Sequence, residues 1–245
     1  MNNLLLEQIT LFVNDNIIRF HIKRIEALKT LKLLDVLKRK NPYLFRAKNI
    51  LTSQDLIENI LDAYLSSKEE TLFGDFLEQL AIFICKNVFD GKKSAAKGID
   101  LEFERNGNYY IVSIKSGPNW GNSGQIDNLK STFRQAKRIL MTNNGMKKPI
   151  IAVNGCCYGK EGSPDKIEYF KYCGQEFWEL ISGESHLYVD IIEPLGYQAK
   201  QKNEQFYESY AAVINEFSYQ FTKDFCSHGK IDWENLIKFN SGRQK

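Results

Sequence analysis

Apolar residues recur with helical spacing through the first 90 positions. Ile25, Leu28, Leu31, Leu34 and Leu37 repeat at threes, and Asn41-Pro42 closes that segment. Thr52, Ser53 or Asp55 can cap a second helix through Leu56, Ile60, Leu61 and Tyr64. Ser67 to Glu70 precedes a third, Leu72 to Val88, with an apolar stripe of Phe73, Phe76, Leu77, Leu80, Ile84 and Val88 and with Glu78 on or near its flank. From Gly98 the period changes to two. Ile99, Leu101 and Phe103 alternate with Asp100, Glu102 and Glu104, then Asn106-Gly107 intervenes before Tyr109 to Val112, which predicts a hairpin with a two-residue turn. Ile126, Leu129, Phe133, Ala136 and Leu140 predict another amphipathic helix, followed by a short strand at Pro149 to Val153. A further strand is predicted at Leu187 to Ile192, with the Gly- and Pro-containing stretch 155–183 read as loop. Phe206, Tyr210, Phe217, Phe221 and Phe225 line one side of a helix over Glu204 to Phe225, a stripe suited to a core or a dimer interface. The sum is an α/β domain, a small mixed sheet with extra helices at both ends.

Composition narrows the class without naming it. With 245 residues, 43% of them hydrophobic, the chain can bury a sizeable core. Its five cysteines are odd in number and lack CxxC spacing, which argues against a disulfide framework or a structural zinc site and for a reducing cytoplasm. The N-terminus carries acids where a signal peptide needs a basic region, and no apolar run approaches the roughly 20 residues that span a bilayer, so no membrane role is expected. His21, His186 and His228 are too dispersed for a metal cage, NGCCYG lacks the lysine of a phosphate-binding loop, and Cys156 and Cys157 read as packing residues.

Charge is unevenly spread although the net value is only +3. Arg19 to Lys48 holds ten Lys/Arg against Glu26 and Asp35, Lys130 to Lys148 holds six and no acid, and Asp55 to Asp90 holds eight acids against two lysines. Basic blocks around an acidic one suit DNA, because phosphates need cations and a divalent metal needs carboxylates. Solvated helix faces are the plainer alternative for either block alone.

If Asn106-Gly107 is a type I′ turn, Arg105 pairs with Asn108 and Asp100 falls opposite Ser113. Asp100, Ser113 and Lys115 then emerge on one face, with opposed Cβ atoms roughly 5 Å apart. Lys115 also sits at a strand end opening onto SGPNWGNSG, where reactive groups are commonly presented. A carboxylate for a hard divalent cation beside an amine that orients water and stabilises developing charge fits phosphodiester hydrolysis. A cross-strand surface pair is the plainer reading of the same residues. The segment from Ser116, through Asn119, Trp120, Asn122 and Ser123, joins this strand to a helix bearing Lys130, Arg134 and Lys137. It is expected to contact DNA, its amides meeting a phosphate at the helix start and the basic flank following the backbone. Base reading is assigned to the polar loop Tyr158 to Lys171.

GID, thirteen residues from Asp100 to Ser113, then SIK resembles the PD-(D/E)xK nuclease motif, with Ile99 where proline is frequent and Ser113 where the second acid usually stands. The strings FGDFLEQLAIFI, GIDLEFE, IKSGPNWGNSGQ and VNGCCYGK, between about Asn41 and Gly159, resemble type II restriction endonucleases that cut interrupted sites with GG and CC flanks. The resemblance implies a restriction-endonuclease-like core over residues 71–200, an N-terminal helical region over 1–70 for DNA contact or dimerisation, and a C-terminal helical extension over 201–245. It further implies magnesium, double-stranded DNA as substrate, a cytoplasmic homodimer and a place in a restriction-modification system. Asp100 would be the principal metal ligand, with the carbonyl of Ile114. Glu78, or less favourably Glu102 on the face of Asp100, would replace the missing acid; the alternative for Glu78 is an exposed helix charge. Gln125 either bonds to the site or serves the helix start. A repair or recombination nuclease and a DNA-binding module without catalysis are the rival readings.

Overall fold

The computed structural model describes residues 3–143 and 146–243. Four helices lead: α1 (Asn3–Lys29), α2 (Leu33–Lys38), α3 (Pro42–Ala47) and α4 (Ser53–Phe89). The period of three over Ile25 to Leu37 does not continue as one helix, because it drifts off the face of a 3.6-residue turn. The chain breaks after Lys29 and re-forms with Leu33, Val36 and Leu37 buried and Leu34 exposed. Asn41 caps α3, its side-chain oxygen accepting from the amides of Tyr43 and Leu44, with Pro42 in the first turn. The Thr52 hydroxyl accepts from the amide of Asp55 at the start of α4. That helix runs unbroken through Ser67–Glu70, a stretch with neither Gly nor Pro, so the second and third predicted helices are one.

The sheet follows: β1 (Lys92–Lys93), β2 (Leu101–Arg105), β3 (Asn108–Lys115), α5 (Ser123–Asn143), β4 (Ile150–Cys156) and β5 (Phe170–Cys173). Its spatial order is β1-β2-β3-β4-β5, antiparallel through β3 and parallel from β3 to β5. This is the α/β class expected, a small mixed sheet flanked by helices. Asn106 and Gly107 both take positive φ, 51° and 76°, as a type I′ turn requires, and the register runs from Arg105↔Asn108 to Leu101↔Val112 as predicted. The α5 crossover buries Leu129, Phe133, Ala136 and Leu140 against Tyr109, Ile111, Ala152 and Tyr169.

After β5 come α6 (Gln175–Ser182), α7 (Leu187–Asp190), α8 (Ile192–Leu195), α9 (Ala199–Phe225), the short pair β6 (Cys226–Ser227) and β7 (Lys230–Ile231), and α10 (Trp233–Ser241). The strand predicted at Leu187 to Ile192 is therefore helical. Leu187 and Ile191, four apart, are buried while Tyr188, Val189 and Ile192 face out, a helical and not an alternating pattern. The fifth strand lies instead at Phe170–Cys173, inside the stretch read as loop. Gly155 in β4 has a structural reason: a Cβ there would sit 2.3 Å from the Phe177 ring of α6.

Two compact units form, and neither is a continuous stretch: residues 1–17 with 73–197, and residues 18–72 with 198–245. The first holds the sheet. In the second, Leu56, Ile57, Ile60 and Leu61 of α4 pack with Phe217, Phe221 and Phe225 of α9, and Phe206 joins Leu28 and Leu65. The aromatic stripe is thus the core of this unit. Arg24 ties it further, bonding to Glu69 at 2.6 Å and Asn203 at 2.8 Å with its guanidinium over the Phe206 ring. All five cysteines are free, and no helix among the described residues is long and apolar enough to cross a membrane.

Candidate active site

Asp100 is the last residue before β2. Its amide still donates to the Val112 carbonyl (2.8 Å), which carries the side chain to the edge of β3. There Oδ2 accepts the amide N–H of Ile114 at 2.7 Å and the Ser113 hydroxyl at 3.4 Å. Regular pairing stops one residue short of Asp100, at Leu101↔Val112, yet Asp100 and Ser113 meet as the hairpin register predicts. Ser113 is buried, and its hydroxyl acts as a donor to Asp100. The carbonyls of Ser113 and Lys115 point toward β4, where they meet Asn154 Nδ2 (3.2 Å) and the Cys157 amide (2.9 Å). Ile114 between them therefore turns both amide and carbonyl to the side of Asp100.

The second carboxylate comes from α4. Burial pushes the Glu78 carboxyl above its ordinary range, the negative charge of Asp100 pushes it further, and Lys93, at 3.5 Å, opposes both. Glu78 thus feels the charge of Asp100. Lys115 ends β3 half-buried, its Nζ 5.3 Å from the centroid of the Trp120 ring. Trp120 Nε1 donates to Asn154 Oδ1 at 3.0 Å.

Other expected site residues have different occupations. Glu102 is buried and accepts from the Ser94 hydroxyl and from Tyr109 Oη (2.6 Å), which spends its oxygens inside the sheet. Gln125 makes a reciprocal cap with Asn122: each side-chain oxygen accepts the other's amide, at 2.9 and 3.0 Å. Of its two expected roles the structure gives it the helix start, and the amides of Asn122 and Gln125 are occupied by that cap. Asn119 and Ser123 are exposed, while the Ser116 carbonyl receives the Tyr158 amide at 3.1 Å. The basic flank of α5 is partly engaged: Lys130 with Asp127 (3.6 Å), Arg134 with the Glu168 carboxylate (3.0 Å) and Lys137 Nζ with the Glu168 carbonyl (3.4 Å).

The loop after β4 is braced. The Glu161 carboxylate accepts from the Ser163 amide (3.2 Å) and pairs with Lys166 (3.1 Å) and Lys171 (3.2 Å), which hold its pKa down at about 2. Lys171 Nζ also donates to the Pro118 carbonyl at 3.0 Å, joining this loop to the one after β3.

Among the described residues no group of three His, Cys, Asp or Glu side chains is placed around a common metal position. The donors available are the two carboxylates and the Ile114 carbonyl. These are hard oxygens of the kind magnesium takes, together with waters, and the mutual charge of Glu78 and Asp100 is the kind of repulsion a cation relieves. The donor set fits. Sequence reasoning missed Lys93, for which nothing in Gly91-Lys92-Lys93 signals a role, and Asn154, whose signal was a lone amide inside the apolar run of β4.

The family model for the type II restriction endonuclease EcoO109I matches residues 7–203. The chain belongs to this family. No individually curated protein matches it. Members of the EcoO109I family are nucleases acting on DNA, and the match takes in α4, the hairpin, the Trp120 loop, β4 and β5, hence every group gathered around Asp100.

Proposed function

We propose that the protein is a magnesium-dependent type II restriction endonuclease of the PD-(D/E)xK kind. It cuts both strands of a short, specific double-stranded site, with interrupted GG and CC flanks as its target, and acts as a cytoplasmic homodimer. The observation that carries the reading is the Asp100 carboxylate, held by the Ile114 amide and within electrostatic reach of Glu78. Dimerisation rests on symmetry, since a two-fold protein matches a two-fold site.

Asp100, Glu78 and the Ile114 carbonyl would hold the ion. Bound there, magnesium supplies a polarised phosphate and a more acidic water. The chain supplies the rest. Ile114 and Ser113 fix the orientation of Asp100, so that little reorganisation accompanies the reaction. Lys115 orients the water and stabilises the charge that builds on the phosphate oxygens as the new P–O bond forms and the bond to the 3′ oxygen breaks. A 5′-phosphate and a 3′-hydroxyl result. Glu161, Lys166 and Lys171 brace the loop assigned to base reading, and Asn119 and Ser123 are exposed for backbone contact.

Incubation of the protein with unmethylated phage DNA and magnesium should give discrete fragments that EDTA, Asp100→Ala and Lys115→Ala each abolish. Retained DNA binding with no cleavage by the wild type would overturn the catalytic reading and leave a binding module. Cleavage of nicked or branched DNA without sequence preference would replace it with a repair nuclease.

A further inference from the structure

We infer that Trp120 and Asn154 are positioning residues for Lys115, an assignment that rests on the nuclease reading above. Asn154 is 1% exposed in a strand otherwise apolar on both sides, Ile-Ile-Ala-Val before it and Gly-Cys after. Burying an amide there is costly unless both its ends are paired. Both are: Oδ1 accepts from Trp120 Nε1 at 3.0 Å and Nδ2 donates to the Ser113 carbonyl at 3.2 Å. One end therefore grips β3 two residues before Lys115, at the residue whose hydroxyl touches Asp100. The other end grips the loop that leaves β3 after Lys115.

That loop, Ser116 to Asn122, is rich in Gly, Asn and Ser and has little intrinsic rigidity. The indole N–H tethers it, and the ring is held 5.3 Å from Lys115 Nζ, within cation–π range. A lysine has a flexible four-carbon stem, and an aromatic face restricts its ammonium without neutralising it. A carboxylate in the same place would compete with phosphate for the charge. Among the described residues no carboxylate forms an ion pair with Lys115. The indole N–H is already committed inward and is not free to donate to DNA.

The test uses steady-state cleavage of unmethylated phage DNA by the full chain, comparing wild type, Trp120→Phe, Trp120→Leu and Lys115→Met. Trp120→Phe keeps a ring and loses the N–H, and should lower kcat about tenfold. Trp120→Leu removes both and should lower it about a hundredfold. KM for DNA should stay within about twofold of wild type in each, because the residue acts on the reacting geometry and not on binding. A readout independent of cleavage is the Trp120 indole resonance in a ¹⁵N-labelled protein, identified by its loss in Trp120→Phe. Its proton should exchange slowly in the wild type, shift in Lys115→Met and exchange freely in Asn154→Leu. Kcat within about twofold in both Trp120 variants, while Lys115→Met abolishes cutting, would overturn the inference alone. A raised KM at unchanged kcat would overturn it in favour of direct DNA contact. Undiminished cleavage by Lys115→Met would overturn the role of Lys115 and the inference with it.

Discussion

Neutralising Glu168 should tighten DNA binding, and the size of the effect follows from its ion pair with Arg134. The pair is short, 3.0 Å, but its side chains are 66% and 36% exposed. Such a pair is worth about 0–1 kcal/mol to the fold, so Glu168→Gln should move the melting temperature by no more than about 4 °C. For DNA the change is larger in kind. If the α5 flank follows the phosphate backbone, Arg134 is shared between its carboxylate and a phosphate, and losing the carboxylate frees it. Each phosphate neutralised adds about 0.9 to the slope of log affinity against log salt. Between 50 and 200 mM salt, one contact therefore changes affinity by a factor of about 3.5. Glu168→Gln should steepen the slope and Arg134→Ala should flatten it, the two changes together coming to about 0.9, and the double variant should behave as Arg134→Ala. Fluorescence anisotropy of a labelled duplex in EDTA, titrated across that salt range, reads all three. Equal slopes in wild type and every variant would refute the reasoning and leave Arg134 as a brace for the loop after β4.

Glu78→Gln tests the carboxylate pair through stability. Because the native carboxyl holds its proton more tightly than the unfolded chain, the contribution of Glu78 to stability is full below the ordinary value of 4.5 and is lost as pH rises through the raised native value. In EDTA the variant should melt above wild type at neutral pH and level with it near pH 4, and the melting-temperature rise that magnesium gives the wild type should shrink. A variant less stable than wild type at both pH values would contradict this. Phe133→Ala, at the centre of the α5 contact with the sheet and 1% exposed, should cost about 3–5 kcal/mol by urea denaturation; a cost below about 1 kcal/mol would mean that α5 does not anchor the sheet face.

The hairpin and α5 were legible because their signals are local. Asn-Gly fixes a turn type, the turn fixes the register, and the register brings Asp100 to Ser113; Leu129, Phe133, Ala136 and Leu140 are spaced as one helical face. Strand β5 was not, since a four-residue strand between loops has no period to read, and Leu187 to Ile192 misled because six residues fit both periods until burial separates them. The break between α1 and α2 and the continuity of α4 turn on tertiary burial, which outweighs the small propensity differences a sequence displays. Within the proposed site, the meeting of Asp100 and Ser113 followed from the register, whereas Ile114 came from the family resemblance and not from the spacing. Glu102 is on the expected strand, but Ser94 and Tyr109 take its oxygens, and neither partner is adjacent in sequence. Asn154 and Lys93 act across elements, where only packing shows the connection.

On the proposed function, the serine in the acid position makes a second carboxylate on a helix the less costly arrangement. Ser113 is 1% exposed with its hydroxyl 3.4 Å from Asp100 Oδ2. A carboxylate on that side chain would put two like charges together in the most buried corner of the site, with Asn154 and the Ile114 amide already committed to other oxygens. In the absence of metal that arrangement is costly. Glu78, 28% exposed and answered by Lys93, supplies a charge from α4 at lower cost to the metal-free fold. Its raised pKa is the residue of that cost, and on the proposed function a cation held by Glu78 and Asp100 would offset it. On that proposal, metal binding would couple α4 to the edge of β3. Substituting Ser113 by Asp should not add a ligand to an intact site but destabilise the metal-free protein, the opposite of what the motif read from sequence alone implies.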